Sequence, residues 1–175
     1  MIDKRSKRWQ YWSWVVLWVG LIYSTLYIVR PICEFLKSKT PFLFFINFFL
    51  ILLLGFILAA YFQKQKIKRI ATLFLLSGII GMYILGMWFL KIPEEKIHFV
   101  EYGFLGFLIY QALRLDCSDP LAYGGAFILT SLLGWADEGI QYLLPNRYYQ
   151  LKDVILNSMS GGLGLILTYI LRREN

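Results

Sequence analysis

Cysteine and histidine are the scarce residues of this chain, with two Cys and one His among 175 residues. No linker rich in Gly or Ser, no internal repeat and no low-complexity stretch interrupts it, and the segments between its apolar runs are too short to hold a soluble domain. The chain therefore reads as one domain, residues 1–175. No phosphate loop, dinucleotide fingerprint, haem site or H-E-x-x-H pair is present, so the cofactor is unknown; His98, Glu101, Asp137, Glu138 and Asp153 are of types that can hold a divalent ion, but no metal site is assigned. Acidic residues are the minority, 11 against 18 Lys and Arg, for a net charge of +7. The basic residues stand in short blocks between apolar runs, not along one helix face or among aromatics, which argues against nucleic acid and favours anionic lipid headgroups.

What the chain has in quantity is apolar surface. It is 58% hydrophobic and 18% aromatic, with a mean hydropathy of +0.57, too apolar for a soluble domain of this size. Six apolar stretches can be drawn, Ser13–Val29, Pro41–Phe62, Ile70–Leu90, Ile97–Leu113, Leu121–Leu144 and Val154–Leu171. Each is near the ~20 residues that a spanning helix needs, the first, fourth and sixth being short. The expected fold is all-α, a polytopic membrane protein with about six transmembrane helices in one compact bundle. The basic N-terminus ahead of an apolar run imitates a secretory signal, but the run is long, Trp-rich and lacks an A-x-A-like site, so it reads as an uncleaved first helix. Trp9, Trp12, Trp14 and Trp18 suit an aromatic belt at the cytoplasmic interface, and the Phe-rich second segment suits lipid contact.

Loop charge sets the expected orientation. With both termini in the cytoplasm, eleven Lys and Arg lie inside (Lys4, Arg5, Lys7, Arg8, Lys64, Lys66, Lys68, Arg69, Arg114, Arg172, Arg173) against seven outside (Arg30, Lys37, Lys39, Lys91, Lys96, Arg147, Lys152). The expected location is the cytoplasmic membrane. Cys33 then falls in an outer loop and Cys117 in an inner one, so the two thiols cannot pair within one chain.

Ionisable residues in hydrocarbon cost a few kcal/mol each, and here they gather at one end of three apolar segments. His98 opens the fourth segment, Asp153 and Asn157 open the sixth, and Asp137 lies about 10 Å from the end of the fifth at ~1.5 Å per residue. His98 and Glu101 are i, i+3 and share a face with Tyr102; Gln141 follows Asp137 by four residues and Glu138 by three. Below the polar end of the sixth segment, Ser160, Gly161 and Gly164 form a small-residue stripe that lets helices approach. The candidate catalytic groups are His98, with Glu101 orienting its imidazole, and Asp137, Glu138 and Asp153 as a second acid or base. Lys96, Gln141, Arg147 and Asn157 are the candidate substrate-binding residues, Arg147 as a clamp for phosphate or carboxylate above the Pro145–Asn146 turn. The structural alternatives are an interhelical hydrogen bond for His98, ion pairs of Asp137 and Glu138 with Arg147 or Lys96, and a headgroup-level anchor for Arg147. Ser160 as a nucleophile is disfavoured, because helix packing alone explains it.

Two blocks, EKIHFVEYGFLGFLIYQAL (Glu95–Leu113) and GWADEGIQYLLPNRYYQLKDVILNSMSGGLG (Gly134–Gly164), resemble the VanZ-like family, named for a teicoplanin-resistance protein. The matching positions are Lys96, His98, Phe99, Glu101 and Tyr102, then Asp137, Glu138, Gln141, Pro145, Arg147, Asp153, Asn157 and Gly161–Gly162, within a motif region of about residues 90–171. The resemblance implies a small polytopic protein of the cell envelope, and a role in glycopeptide resistance, without naming a reaction. Two function classes follow. One is an outward-facing enzyme, a hydrolase or transferase acting on a lipid-linked or anionic envelope molecule. The other is a protein that binds a headgroup, cell-wall intermediate or antibiotic without turnover. A carrier or channel is third, since transporters place polar groups near the midplane.

Overall fold

The computed structural model describes residues 3–64, 70–145 and 147–172. These residues are all-helical in six elements: α1 Lys4–Lys39, α2 Phe42–Lys64, α3 Ile70–Phe89, α4 Pro93–Leu113, α5 Asp119–Leu143 and α6 Leu151–Arg172. The six expected stretches all become helices, but their polar ends are helical too. Lys66, Lys68, Arg69 and Arg173 of the loop-charge reading lie outside the described residues.

The first segment is the largest departure. Expected to be short and to stop at Val29, it runs 36 residues through Pro31, about 54 Å at 1.5 Å per residue. That is well beyond the ~30 Å of a hydrocarbon core. A proline inside a helix forfeits one backbone hydrogen bond, and here the helix continues around it to Thr40, whose extended backbone ends it before Pro41. Cys33, placed in a loop by the sequence reading, is buried on α1 instead, and Cys117 is exposed after α4; both are free thiols. The fourth and sixth helices are likewise longer than expected, at 21 and 22 residues. Pro93 opens α4 with Glu94 and Glu95 in its first turn, and Pro120 sits at the start of α5 beside Asp119. Proline at a first turn gives up only an N–H with no helical partner, and carboxylates there face the positive end of the helix dipole.

The bundle is organised around α4, which packs on α6, α5 and α1. Its contact with α6 is made by glycines on both helices. A Cβ on Gly164 would collide with the backbone oxygen of Gly103, and one on Gly106 would lie 3.0 Å from that of Gly161. The small-residue stripe of the sixth segment is therefore matched by Gly103 and Gly106, and close backbone approach is the packing force available where lipid competes equally for apolar side chains. Gly134 of α5 meets Asn157 in the same way, with 2.8 Å between an added Cβ and the Asn157 Cβ. Tyr102, Leu105, Ile109 and Tyr110 of α4 fill the core with Ile22 of α1, Ala122 and Ala126 of α5, and Leu165 of α6. Trp18 belongs to this packing and not to an interface belt: its indole N–H donates to the Glu101 carbonyl at 3.1 Å and its ring meets Phe104 edge-on.

The outer surface carries exposed Phe44, Phe56, Phe74 and Trp88 among many large apolar side chains. An apolar surface of that extent belongs against lipid, and α1, α3 and α6 are long and apolar enough to cross a membrane, with a shorter apolar stretch at Phe42–Leu53 of α2. In α4 and α5, acidic residues interrupt the apolar run. Ion pairs tie one end of the bundle together, Arg8 with Asp116 at 3.6 Å and Arg172 with Asp119 at 3.0 Å. The opposite end gathers polar residues of the second half together with residues of α1.

Candidate functional site

At that opposite end the C-terminal half of α1, the first turns of α4 and α6, the last turn of α5 and the α5–α6 loop enclose a cleft of about 220 Å³. His98, Gln141, Arg147, Asp153 and Asn157 line it, together with Glu94 and Glu95. The helical spacings that predicted convergence bring these side chains to one place.

His98 Nδ1 lies 3.4 Å from Glu101 Oε2 on its own helix and 3.8 Å from Asp137 Oδ2 across on α5. Those separations are within ion-pair reach, yet Nδ1 makes no well-formed hydrogen bond. Asp137 is fully buried, and its Oδ2 also faces Gln141 Nε2 and Asn157 Nδ2, each at 3.5 Å. Long contacts of this kind leave the carboxylate available to a closer donor. Tyr23 of α1 donates to the Leu133 carbonyl at 2.7 Å, tying α1 to α5 beneath the cluster.

Glu138 is differently placed. One oxygen accepts from Gln141 Nε2 at 3.0 Å and the other from the Gln150 backbone N–H at 2.9 Å. Both oxygens are thus engaged, one in holding the α5–α6 loop and the other by Gln141 of the same helix, which gives Glu138 a positioning role. Arg147 sits on that loop, half-buried, and its Nη2 donates to the Leu26 carbonyl of α1 at 3.1 Å. Burial lowers the guanidinium's pKa from its ordinary value, with the nearby carboxylates of Glu94, Asp137 and Glu138 acting the other way; it stays charged. The anticipated Asp137 or Glu138 ion pair with Arg147 is not among the salt bridges of the described residues. Asp153 lines the cleft with its Oδ1 unpartnered.

Lys96 stands apart from this site. It is 3% exposed and donates to Asn47 Oδ1 of α2 at 2.5 Å and to the Met87 carbonyl of α3 at 2.6 Å. Its ammonium is spent on joining the first half of the chain to α4, and it does not line the cleft. Ser160 is also elsewhere in role: its hydroxyl donates to the Leu156 carbonyl at 2.6 Å, as a helical serine does. No group of three or more metal-ligating side chains occurs among the described residues.

The residues that the sequence reading missed are on α1 and at the start of α4. Arg30, Cys33, Glu34 and Lys37 line the cleft at spacings of three and four that place them on one helix face. The signal was present, but Pro31 and the surrounding charges read as loop. Glu95 was missed similarly; it is buried and pairs with the exposed Lys152 at 2.8 Å, linking α4 to α6. A second groove of about 490 Å³, mostly apolar and lined by α2, α3, α4 and α6, shares no lining residue with the polar cleft.

A helical membrane protein with a buried His–carboxylate cluster at one end of its bundle is the class these features define. The profile of the VanZ/LLP1 family matches residues 83–172, half of the chain, and the chain belongs to that family. No curated protein and no solved structure gives a match. The matched region holds α4, α5 and α6 and the end of α3, whereas the α1 wall of the cleft lies outside it.

Proposed function

We propose that this protein works at the extracytoplasmic face of the cytoplasmic membrane, with both termini inside, on the anionic headgroup of a lipid-linked envelope molecule. The observation that carries the reading is His98, which lines the cleft beside a loop arginine and has Glu101 and Asp137 within 3.4 and 3.8 Å of its Nδ1. His98 serves as general acid or base, Glu101 orients the imidazole, Asp137 or Asp153 is the second proton carrier, and Arg147 holds the headgroup's negative charge. The reaction class is hydrolysis or group transfer, in which His98 takes a proton from the attacking water or hydroxyl and returns one to the leaving oxygen. Reduced susceptibility to a glycopeptide such as teicoplanin is the corresponding phenotype. A cleft of about 220 Å³ suits a headgroup and is below the usual size of a drug site, which supports modification or sequestration of an envelope molecule over engulfment of the antibiotic itself.

The test is His98→Gln, which keeps hydrogen-bonding capacity at similar reach. It should leave thermal stability in detergent near that of the parent while abolishing the envelope phenotype and any turnover of purified lipid-linked substrate. A folded His98→Gln protein with full phenotype would end the catalytic reading. Orientation is tested by thiol labelling of Arg147→Cys in a background lacking Cys33 and Cys117. Labelling from the cytoplasm alone would sink the outward-facing site.

A further inference from the structure

The inner wall of the cleft holds two acceptors that no hydrogen bond in the protein satisfies. Asn157 is 1% exposed and lines the cleft; its Nδ2 faces the Asp137 carboxylate, so its Oδ1 is turned elsewhere and makes no hydrogen bond. The amide orientation follows from chemistry, because a carboxylate accepts and only the NH₂ end of the amide can donate to it. Asp153 also lines the cleft, and its Oδ1 is buried and unpartnered. Two such acceptors on one wall call for hydrogen-bond donors from a ligand, since a buried polar atom left unmatched costs the desolvation of the group. On the same lining stand the cations Arg147 of the loop and Lys37 of α1, with Arg30 paired to Glu34 at 3.1 Å and the carboxylates of Glu94 and Glu95 beside them. The guanidinium of Arg147 has donors beyond the one given to Leu26.

Resting on the headgroup reading above, we infer that the cleft takes a phosphate that also carries free neighbouring hydroxyls, a phosphoglycerol or phosphosugar headgroup, with the phosphate at Arg147 and the hydroxyls on Asp153 and Asn157. A neutral hydroxyl suits these acceptors better than an ammonium, which would bring a further cation against Arg147 inside a small cleft. Acyl or prenyl chains remain in the surrounding lipid, since about 220 Å³ is the space of roughly seven water molecules.

Affinities of the purified full chain in phosphatidylcholine nanodiscs, measured by native mass spectrometry, test this with a panel that separates the two demands. Phosphatidylglycerol and phosphatidylinositol offer phosphate and hydroxyls, phosphatidic acid phosphate alone, diglucosyl diacylglycerol hydroxyls alone, and phosphatidylethanolamine phosphate with an ammonium. The expected result is that at least one of the first two binds about tenfold more tightly than each of the other three, the scale of one charge-assisted hydrogen bond. Which of the two leads distinguishes glycerol from a ring polyol. Asp153→Ala should bring that lipid down to the level of phosphatidic acid, and Asp153→Asn, which keeps the side-chain volume, should fall between. Phosphatidic acid binding as tightly as phosphatidylglycerol and phosphatidylinositol overturns the hydroxyl inference while leaving the anionic-headgroup reading intact. Tightest binding of phosphatidylethanolamine overturns it in favour of an amine. If no lipid is preferred and Arg147→Gln changes nothing, both readings fall.

Discussion

In α4, α5 and α6 the buried positions include Glu94, Glu95, Lys96, Asp137, Glu138, Gln141 and Asn157; in α2 and α3, among the described residues, Thr72 is the only polar side chain so buried. The two regions also differ in how they are held. Glycines on α4 and α6 bring those backbones into contact, while α2 and α3 present Phe44, Phe56, Phe74 and Trp88 outward and touch the rest lightly. Burying charge is affordable only where neighbouring groups are fixed closely enough to hydrogen-bond it. The tightly packed second half is therefore the part that can house a polar cleft, and the first half is mainly the part that meets lipid. The α1 helix crosses this division, supplying core residues along its length and a wall of the cleft at its C-terminal end.

The sharpest way to break the comparison is to put a side chain into the α4–α6 seam. Gly164→Leu should cost roughly 3 kcal/mol or more, because backbone and not a flexible side chain stands in the way. Little folded protein should be recovered in detergent. The matching change in the first half, Gly55→Leu, meets nothing within 4 Å and should leave the melting temperature within a degree or two. Equal losses at both positions would show that the two regions are packed alike.

Next in size is the bridge between the regions. Lys96→Met removes two hydrogen bonds and leaves the Asn47 and Met87 oxygens without them, for a cost of roughly 1–3 kcal/mol. Melting temperature should fall and envelope phenotype should fall only in proportion. Loss of phenotype at unchanged stability would return Lys96 to the substrate-binding role that its sequence position suggested. Lys152→Ala should cost at most about 1 kcal/mol, since the lysine end of its pair with Glu95 is largely in solvent. A clearly larger drop in melting temperature would mean that Glu95 depends on this one partner. Smallest of all, Cys117→Ser, at an exposed position after α4, should move stability by less than about 0.5 kcal/mol.

Much of the site was legible because helical spacing is a local property. His98 with Glu101, and Asp137 and Glu138 with Gln141, share faces by arithmetic alone, and the structure brings all of them together. Lys96 is placed differently: position along α4 put it among the candidate site residues, but its long side chain is directed to Asn47 and Met87 on other helices. Arg30, Glu34 and Lys37 were overlooked because a hydropathy reading ends a helix where charge begins, and α1 continues past the point where apolar character runs out.

By itself the sequence determined the all-helical membrane class, the six helices, the family and the end of the bundle at which polar groups collect. The family follows from the matching residues of two blocks, and the rest from composition, apolar run length and the 3.6-residue period, which act through neighbours in the chain. Only the tertiary structure decided that Glu138 holds the α5–α6 loop, that Lys96 joins α2 and α3 to α4, and that α1 completes the cleft. Each of those roles depends on which atom from a distant helix comes within about 3 Å of a polar side chain, and hydrogen bonds at that range are fixed by packing, not by spacing along the chain.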